Sequence, residues 1–282
     1  MTVIALDHAS IRIRDRTVLS DITLSIDSDE FIGVLGPNGA GKTTLMRTLL
    51  GLLKPSSGIV HVFGQPPKRG NARIGYVPQV RSMQPEMRMR GFDVVASCLD
   101  GERWGLPTVG RAGRSAIEDA LRSVGSLELA DRSLSDMSGG ERQRLLLAQA
   151  FIGSPRLLLL DEPLISLDPH HQEIVIDHVR QYGRERGATI LFCAHELNQL
   201  LGALDRVLYL GRGHAALGTV DEVITAPVLS RLYGTDIQVI RAQGHIFVMS
   251  DGRNVERADH LHADVHSQPH LVQAQDKHPS HV

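Results

Sequence analysis

The amino-acid sequence predicts an α/β fold: a mixed-sheet core, an antiparallel β layer and an inserted helical subdomain. The first observation is a set of alternating or clustered β-favouring residues near the start of the chain, at positions 2–6, 11–13 and 19–26. The second is a pair of compact apolar runs, residues 31–35 and 157–160, typical of strands buried on both faces. The third is the helical composition or spacing of the segment from about 80 to 138, interrupted by glycines and Pro107.

Local signals predict the remaining elements in order. After the run at 31–35, a glycine-rich loop leads into a helix over about 43–53. Four further strands are predicted, at 59–63, 73–77, 188–194 and 206–210. Helical segments are predicted at 93–99, 116–124, 127–130, 169–183 and, as one or two short helices, 220–232.

Composition limits the classes of function. The 282 residues are 42% hydrophobic and carry a formal charge of -2, which gives no general reason to expect nucleic-acid or membrane binding. The two cysteines, Cys98 and Cys193, show no metal-ligand spacing and favour a reduced, cytosolic setting. We find no signal-peptide pattern and no run near the roughly 20 apolar residues of a membrane span, so a partner must supply any span.

The loop after the run at 31–35 predicts a nucleotide triphosphate site. Its nine residues fit the phosphate-binding loop pattern: Gly36, Pro37, Asn38, Gly39, Ala40, Gly41, Lys42, Thr43 and Thr44. The glycines let backbone N–H groups point inward, Lys42 can reach the terminal phosphates, and Thr43 offers a hydroxyl to Mg²⁺. A chance glycine-rich turn is the alternative, but the strand–loop–helix context favours the phosphate site.

A second anion site is predicted where Ser138, Gly139 and Gly140 precede an apolar helix. A helix start of this composition exposes backbone N–H groups and a hydroxyl. An ordinary N-cap with Glu141 in the first turn is the alternative, and it leaves the paired glycines unexplained.

Two acids and a histidine predict the chemistry. Asp161 and Glu162 end the apolar run at 157–160, and the carboxyl edge of a parallel sheet is where α/β ligands bind. Asp161 is suited to hold Mg²⁺, and Glu162 is the candidate base for the water that attacks the γ-phosphate. His195 ends another predicted strand and could donate a hydrogen bond to that phosphate. Acids at an ordinary strand exit and a structural histidine are the alternatives.

These motifs, in this order, resemble those of the nucleotide-binding subunits of ATP-binding-cassette (ABC) transporters. The resemblance covers residues 3–233. It rests on six motifs: Walker A (36–44), the Q-loop glutamine (Gln79), the signature (137–141), Walker B (157–162), the D-loop (166–168) and the switch histidine (His195). It implies a RecA-like P-loop NTPase fold that hydrolyses ATP with Mg²⁺. It also implies that Gln79 approaches the Mg²⁺ and the attacking water.

The resemblance further implies an assembly. It implies a head-to-tail homodimer, or a pseudo-dimer, in which Ser138, Gly139 and Gly140 of one subunit cap ATP on the other. A transmembrane permease binds the helical subdomain at the cytoplasmic face of the membrane, and an extracytoplasmic solute-binding protein acts indirectly. One departure concerns the base: relatives carry an aromatic residue for adenine, whereas Arg14 stands near that place here. Arg14 could stack through its guanidinium face, and loose recognition of the base is the alternative.

The single cassette and its local patterns look most like those of zinc and manganese importers. An ATPase of a siderophore or haem importer is the first alternative, and a soluble ABC ATPase acting on nucleic acid or ribosomes is the second. The modest interval between Gln79 and Ser138 leaves no room for the coiled-coil insertion that the second class usually carries, so we expect no nucleic-acid partner.

The predicted domains are an ABC ATPase domain at 1–235, with its helical subdomain at about 80–145, and a C-terminal extension at 236–282. The extension ends in a polar tail from residue 251 that we expect to be flexible. The extension contains seven histidines: His245, His260, His262, His266, His270, His278 and His281. Imidazole suits transition metals, so weak metal binding by the tail is a hypothesis.

Overall fold

The computed structural model describes residues 1–79, 89–99, 109–165, 167–250 and the backbone of 253–254. Twelve strands lie in this part of the chain: β1 (Thr2–Ile13), β2 (Arg16–Asp27), β3 (Phe31–Leu35), β4 (Ser57–Val62), β5 (Ile74–Val77), β6 (Leu157–Asp161), β7 (Thr189–Cys193), β8 (Arg206–Gly211), β9 (His214–Gly218), β10 (Gln238–Ala242), β11 (His245–Ser250) and β12 (Arg253–Asn254). The α-helices of the same residues are α1 (Lys42–Leu49), α2 (Gly91–Ala96), α3 (Arg111–Ser123), α4 (Gly139–Phe151), α5 (Pro169–Arg186), α6 (Val220–Val223) and α7 (Ala226–Tyr233). Short 3₁₀ turns occupy Leu127–Leu129 and Leu134–Asp136.

The central sheet is mixed, as predicted. Its strand order is β5-β6-β7-β3-β8-β9, and every neighbouring pair is parallel except β8 and β9. Every residue of β3, β6 and β7 is buried, which explains why their sequences are apolar without alternation. Because these three strands are neighbours and run the same way, the segments that follow them meet at one edge of the sheet.

The antiparallel layer has the order β2-β1-β4 and packs its apolar side against α1. The sequence predicts two separate β segments at 2–6 and 11–13, but the structure has one continuous strand, β1. The register with β2 shifts between Leu6 and Ala9, and His8 adopts φ 47°. Asp7 and His8, the polar pair that breaks the alternation, lie at this irregularity, so one strand spans both segments.

Helices α2, α3 and α4 form the region where the sequence predicts an inserted helical subdomain. Their apolar faces join one core with buried residues of α5, and Phe151 of α4 stacks on Tyr182 of α5. The start of α2 lies against the turn at Leu127–Leu129, because Gly91 has no side chain: a Cβ atom there would lie 2.2 Å from the Leu129 carbonyl oxygen. Residues 80–88, with most of the Met and Arg segment after Gln79, lie outside the described residues, and the limits 80–145 stay a prediction.

The C-terminal extension begins with a three-stranded antiparallel sheet of order β10-β11-β12. Ile246 and Val248 of β11 are buried in the same core as α4 and α5, so this sheet is packed against the cassette. The tail predicted to be flexible, with six of the seven histidines, lies outside the described residues apart from the β12 backbone. Within the described ranges, no helix has both the length and the apolar character needed to cross a membrane.

Candidate active site

The loop between β3 and α1 is shaped by glycines that other residues could not replace. Gly36, Gly39 and Gly41 have φ values of 135°, 78° and 107°, a range that L side chains rarely adopt. At Gly36 a Cβ atom would also lie 2.1 Å from the carbonyl oxygen of Leu210. Gly41 occupies the N-cap of α1 without a side-chain hydrogen bond, so the amides of the first turn face the loop and can bind an anion.

Lys42 lies inside the curve of this loop. Its side chain is buried, and Nζ donates hydrogen bonds to the carbonyl oxygens of Gly36 at 2.6 Å and Pro37 at 3.4 Å. A buried ammonium group needs acceptors, and the loop carbonyls supply them here. Phosphate oxygens arriving in the loop could take over from these carbonyls, because they are stronger acceptors for a cation.

Strand β6 brings Asp161 and Glu162 to the edge of the sheet beside the loop. Asp161 is the last residue of the strand and is fully buried. Glu162 follows with φ 55°, a left-handed conformation that costs a non-glycine residue about 1–3 kcal/mol. The two consecutive acids have different surroundings: Asp161 is buried near Thr43 and Lys42, whereas Glu162 lines the cavity.

Asp161 has the properties of a cation ligand. Burial raises the pKa of its carboxyl group above the ordinary value, and interactions with Thr43 and Lys42 partly oppose that rise. Within the described residues, both carboxylate oxygens are buried and make no hydrogen bond of ordinary geometry. A divalent cation would satisfy them, and carboxylate and hydroxyl oxygens are the ligands that Mg²⁺ prefers. Asp161 and Thr43 therefore fit such an ion.

Glu162 is held between two polar side chains. Oε1 lies 2.9 Å from His195 Nε2, and Gln79 Nε2 donates a short hydrogen bond to Oε2. Burial raises the pKa of Glu162, but the contacts with His195, Lys42 and Gln79 outweigh it, so the pKa is below its usual value. The carboxyl group is thus ionised at neutral pH, which a proton acceptor requires.

These side chains line one open cavity of about 1080 Å³. The walls contain most of the residues predicted for phosphate and catalysis, namely Asn38, Gly39, Ala40, Gly41, Lys42, Thr43, Thr44, Gln79, Glu162 and His195. Arg14, predicted near the base, turns the β1–β2 hairpin at φ 53° and does not line the cavity; Ile13, Arg16 and Val18 do. Arg14 lies in the turn between the two strands, whereas Ile13 ends β1 and Arg16 begins β2.

The predicted second anion site forms the start of α4 and does not line this cavity. Ser138 is the N-cap: its backbone N–H donates to Glu141 Oε2 at 2.7 Å, and its Oγ accepts from the Glu141 N–H at 3.3 Å. Ser138 and Gly139 are exposed, whereas Met137 is buried and anchors the turn from below. The polar groups of Ser138 and Gly139 are therefore exposed at the surface and are not part of the cavity of their own chain.

A histidine outside the predicted set supports Gly140. Asp168 caps α5 by accepting from the backbone N–H of His171 at 3.0 Å, and the His171 ring Nδ1 lies 2.6 Å from Asp168 Oδ2. The same ring packs on Gly140, where a Cβ atom would lie 2.5 Å from it. The D-loop acid and the signature turn are thereby in contact through one side chain. Ser166 of the D-loop lies outside the described residues.

Comparison with known proteins identifies the family. The family profile described as "ABC transporter" matches residues 19–165. The chain belongs to the ABC transporter family. The predicted family and ATPase assignment are thereby confirmed.

Curated relatives of this ABC transporter chain cover most of its length. The zinc import ATP-binding protein ZnuC of Cereibacter sphaeroides is 36% identical over 238 residues, which is 84% of this chain and 91% of the relative. The manganese transport system ATP-binding protein MntB of Bacillus subtilis is 32% identical over 249 residues, 87% and 99% of the two chains. The zinc transport system ATP-binding protein TroB of Treponema pallidum is 32% identical, with 82% and 86% covered.

Solved structures agree on the fold. One is cbiO1 from Clostridium perfringens, part of the ABC transporter complex cbiONQ, with a TM-score of 0.69 and 24% identity over 82% of this chain and 93% of that chain. Another is the ADP conformation of MJ1267, an ATP-binding cassette of an ABC transporter, with a TM-score of 0.70 and 19% identity over 79% and 92%. The α/β P-loop NTPase fold of this ABC transporter subunit is confirmed.

Sequence reasoning missed some residues that shape the site of this ABC transporter subunit. Arg132 bonds to Glu141, His171 packs on Gly140, and Asn198 pairs with Ile246 of β11. Each contact joins residues that are separate along the chain, so no local pattern marks it. Glu141 was not missed, because Ser and Glu three positions apart at a helix start predict a capping box.

Proposed function

We propose that this chain is the ATP-hydrolysing subunit that powers import of zinc or manganese through a separate membrane permease. The observation that carries the ATPase part is the ionised Glu162, held by His195 and Gln79 at the rim of the phosphate-binding loop. The names of the relatives support the metal part, since they describe zinc and manganese transport. They do not favour the siderophore, haem or nucleic-acid alternatives.

ATP binds with its phosphates in the loop and its base toward the hairpin. The loop amides and Lys42 neutralise the phosphates. Arg14 was predicted to stack on adenine, but the wall formed by Ile13, Arg16 and Val18 offers an apolar surface and a guanidinium group closer to the cavity. We expect Arg16 to make that contact.

Thr43, Asp161 and Gln79 are the residues that would hold Mg²⁺, which neutralises charge on the β- and γ-phosphates when bound. Glu162 accepts the proton of the attacking water, since its lowered pKa keeps it ionised. His195 keeps the Glu162 carboxylate in place and can reach toward the γ-phosphate. Gln79 restrains the other carboxylate oxygen and orients the water.

The site is completed by a second copy of the chain. Ser138 and Gly139 are exposed and, with the buried Gly140 beside them, lie outside the cavity of their own chain, which fits a cap over ATP bound to the partner copy. Loss of the γ-phosphate removes the charge that holds the two copies together, and the dimer opens. The permease follows this motion at the cytoplasmic face of the membrane, and an extracytoplasmic binding protein delivers the cargo.

Transport in proteoliposomes tests the proposal. The chain is co-purified with its permease, and ATP-dependent uptake of radioactive zinc and manganese is measured beside uptake of an iron–siderophore complex. We expect metal uptake that disappears in the Glu162→Gln variant, which serves as the matched control. Uptake of the siderophore complex alone would contradict the metal assignment while leaving the ATPase assignment intact.

A further inference from the structure

Arg132 connects the signature turn to the loop that precedes it. Its Nη1 atom lies 2.5 Å from Glu141 Oε1, and its Nη2 donates to the carbonyl oxygen of Asp136 at 2.7 Å. One planar group therefore fixes both the acid inside α4 and the backbone two residues before Ser138. Arginine suits this task because its guanidinium donors have fixed directions.

The backbone of Arg132 is also fixed. Its carbonyl oxygen accepts from the N–H of Gly91 at 3.0 Å, and Leu134 N–H donates to the Met89 carbonyl oxygen at 2.9 Å. An exposed ion pair between two mobile side chains contributes little, because ordering both side chains costs entropy. Here the Arg132 backbone is tied to the start of α2, and the Glu141 side chain is only 20% exposed. This pair is part of a connected set of hydrogen bonds.

Glu141 has a direct effect on Ser138. The Ser138 hydroxyl accepts a hydrogen bond from the Glu141 N–H, so its own proton stays available to donate. The Glu141 carboxylate accepts from the Ser138 N–H. This reciprocal arrangement sets the hydroxyl in a direction suited to donating to an anion.

The same carboxylate also creates a difficulty. The hydrogen bond from the Ser138 backbone, with the contact to Arg132, lowers the pKa of Glu141, so this group is negative at neutral pH. A negative group beside a site for the triphosphate repels it. Some positive charge must therefore offset Glu141, and within the described residues Arg132 is the cation that forms an ion pair with it.

We propose that Arg132 is a positioning residue for ATP capping: it neutralises Glu141 and holds the Glu141–Ser138 capping box in the geometry that binds the γ-phosphate on the partner copy. This rests on the proposed function, because it presumes capping by a second copy. Arg132 does not touch ATP and acts only through Glu141 and the turn at residues 136–138. Its role exists because position 141 is an acid.

A double-mutant cycle tests the proposal. ATP-induced dimerisation of the full chain is measured by light scattering in the Glu162→Gln background, as a function of ATP concentration, for R132Q, E141Q and the double variant. We expect R132Q to raise the ATP concentration needed for half-dimerisation about tenfold. In the E141Q background, the same R132Q change is expected to have less than a twofold effect, because no charge remains to be neutralised.

Arg122→Gln is the matched control. Arg122 forms an ion pair of the same 2.5 Å length with Asp119 on α3, away from the signature turn. We expect no change in dimerisation from this variant. An R132Q effect that is equally large with Glu or Gln at position 141, or no R132Q effect at all, overturns the role of Arg132. If the Glu162→Gln parent itself forms no ATP-dependent dimer, capping by a second copy is wrong, and the proposed assembly fails with it.

Discussion

His195 Nε2 lies 2.9 Å from Glu162 Oε1, on the carboxylate that the left-handed turn after β6 directs into the cavity. Because β6 and β7 are parallel neighbours, the residues at their carboxyl ends lie side by side at the same edge of the sheet. Glu162, one residue beyond the end of β6, contacts His195, while Asp161 stays buried at the end of the strand.

Replacing Glu162 with Gln tests the catalytic base. The amide keeps the shape of the side chain but cannot accept a proton, so we expect ATP turnover to fall roughly 100- to 10,000-fold. ATP-dependent dimerisation should be retained, because the phosphate loop and signature are unchanged. Steady-state phosphate release and light scattering measure the two effects. Turnover at the wild-type rate would overturn the assignment of the base.

Replacing His195 with Ala should change the pH dependence of turnover. Burial raises the pKa of Glu162, and the His195 contact is the first of the effects that lower it. Without that contact we expect the pKa of Glu162 to rise, so the acid limb of the pH–kcat profile should move to higher pH. A lower kcat with an unmoved acid limb would show that His195 does not act through Glu162.

The sequence alone was sufficient to predict the position of motifs that are defined by local spacing. The loop from Gly36 to Thr44 leads from β3 into α1, as predicted, and the two acids stand at the end of β6, although Asp161 is the last residue of the strand and only Glu162 follows it. Their catalytic and binding roles stay predictions. The split of β1 into two segments was wrong, because a bulge is a feature of pairing with β2 and leaves no simple periodic signal.

The contacts that position these residues could not be predicted in the same way. Asn198 and Ile246 are 48 positions apart, and their pairing depends on how β11 packs against the cassette. Arg14 turns the β1–β2 hairpin at φ 53°, whereas Arg16 at the start of β2 lines the cavity, a difference that no short pattern in the sequence marks. Such choices follow from tertiary packing, which a single sequence does not encode in any short window.

Gly140→Ala should destabilise the chain through His171. A Cβ atom at Gly140 would lie 2.5 Å from the His171 ring, so the ring must move and weaken its contact with Asp168. We expect a loss of about 1–3 kcal/mol in the free energy of unfolding, measured with urea. Gly139→Ala is the control, since nothing described lies within 4 Å of its added Cβ. Adding His171→Ala should restore most of the loss, and failure to do so would place the strain elsewhere.

Asn198→Ala should loosen the C-terminal sheet and, with it, the segment that carries His195. The Asn198 amide donates to the Ile246 carbonyl oxygen and accepts from the Ile246 N–H, both at 2.8 Å. Removing it leaves two partly buried backbone groups without partners, at a cost of about 1–3 kcal/mol each. Hydrogen exchange should accelerate in β11. Asn198→Asp keeps the acceptor and should protect the Ile246 N–H, so equal exchange in both variants would contradict this account.

Mild acid should destabilise the folded chain through His178. Burial, helped by Arg144, lowers the pKa of His178 below its ordinary 6.5 in the folded state. The unfolded chain then binds the proton more tightly, so the free energy of unfolding should fall as pH decreases from about 6.5 toward the folded pKa. Urea unfolding at a series of pH values measures this slope, and His178→Gln should make it shallower. An unchanged slope in that variant would assign the acid sensitivity to other groups.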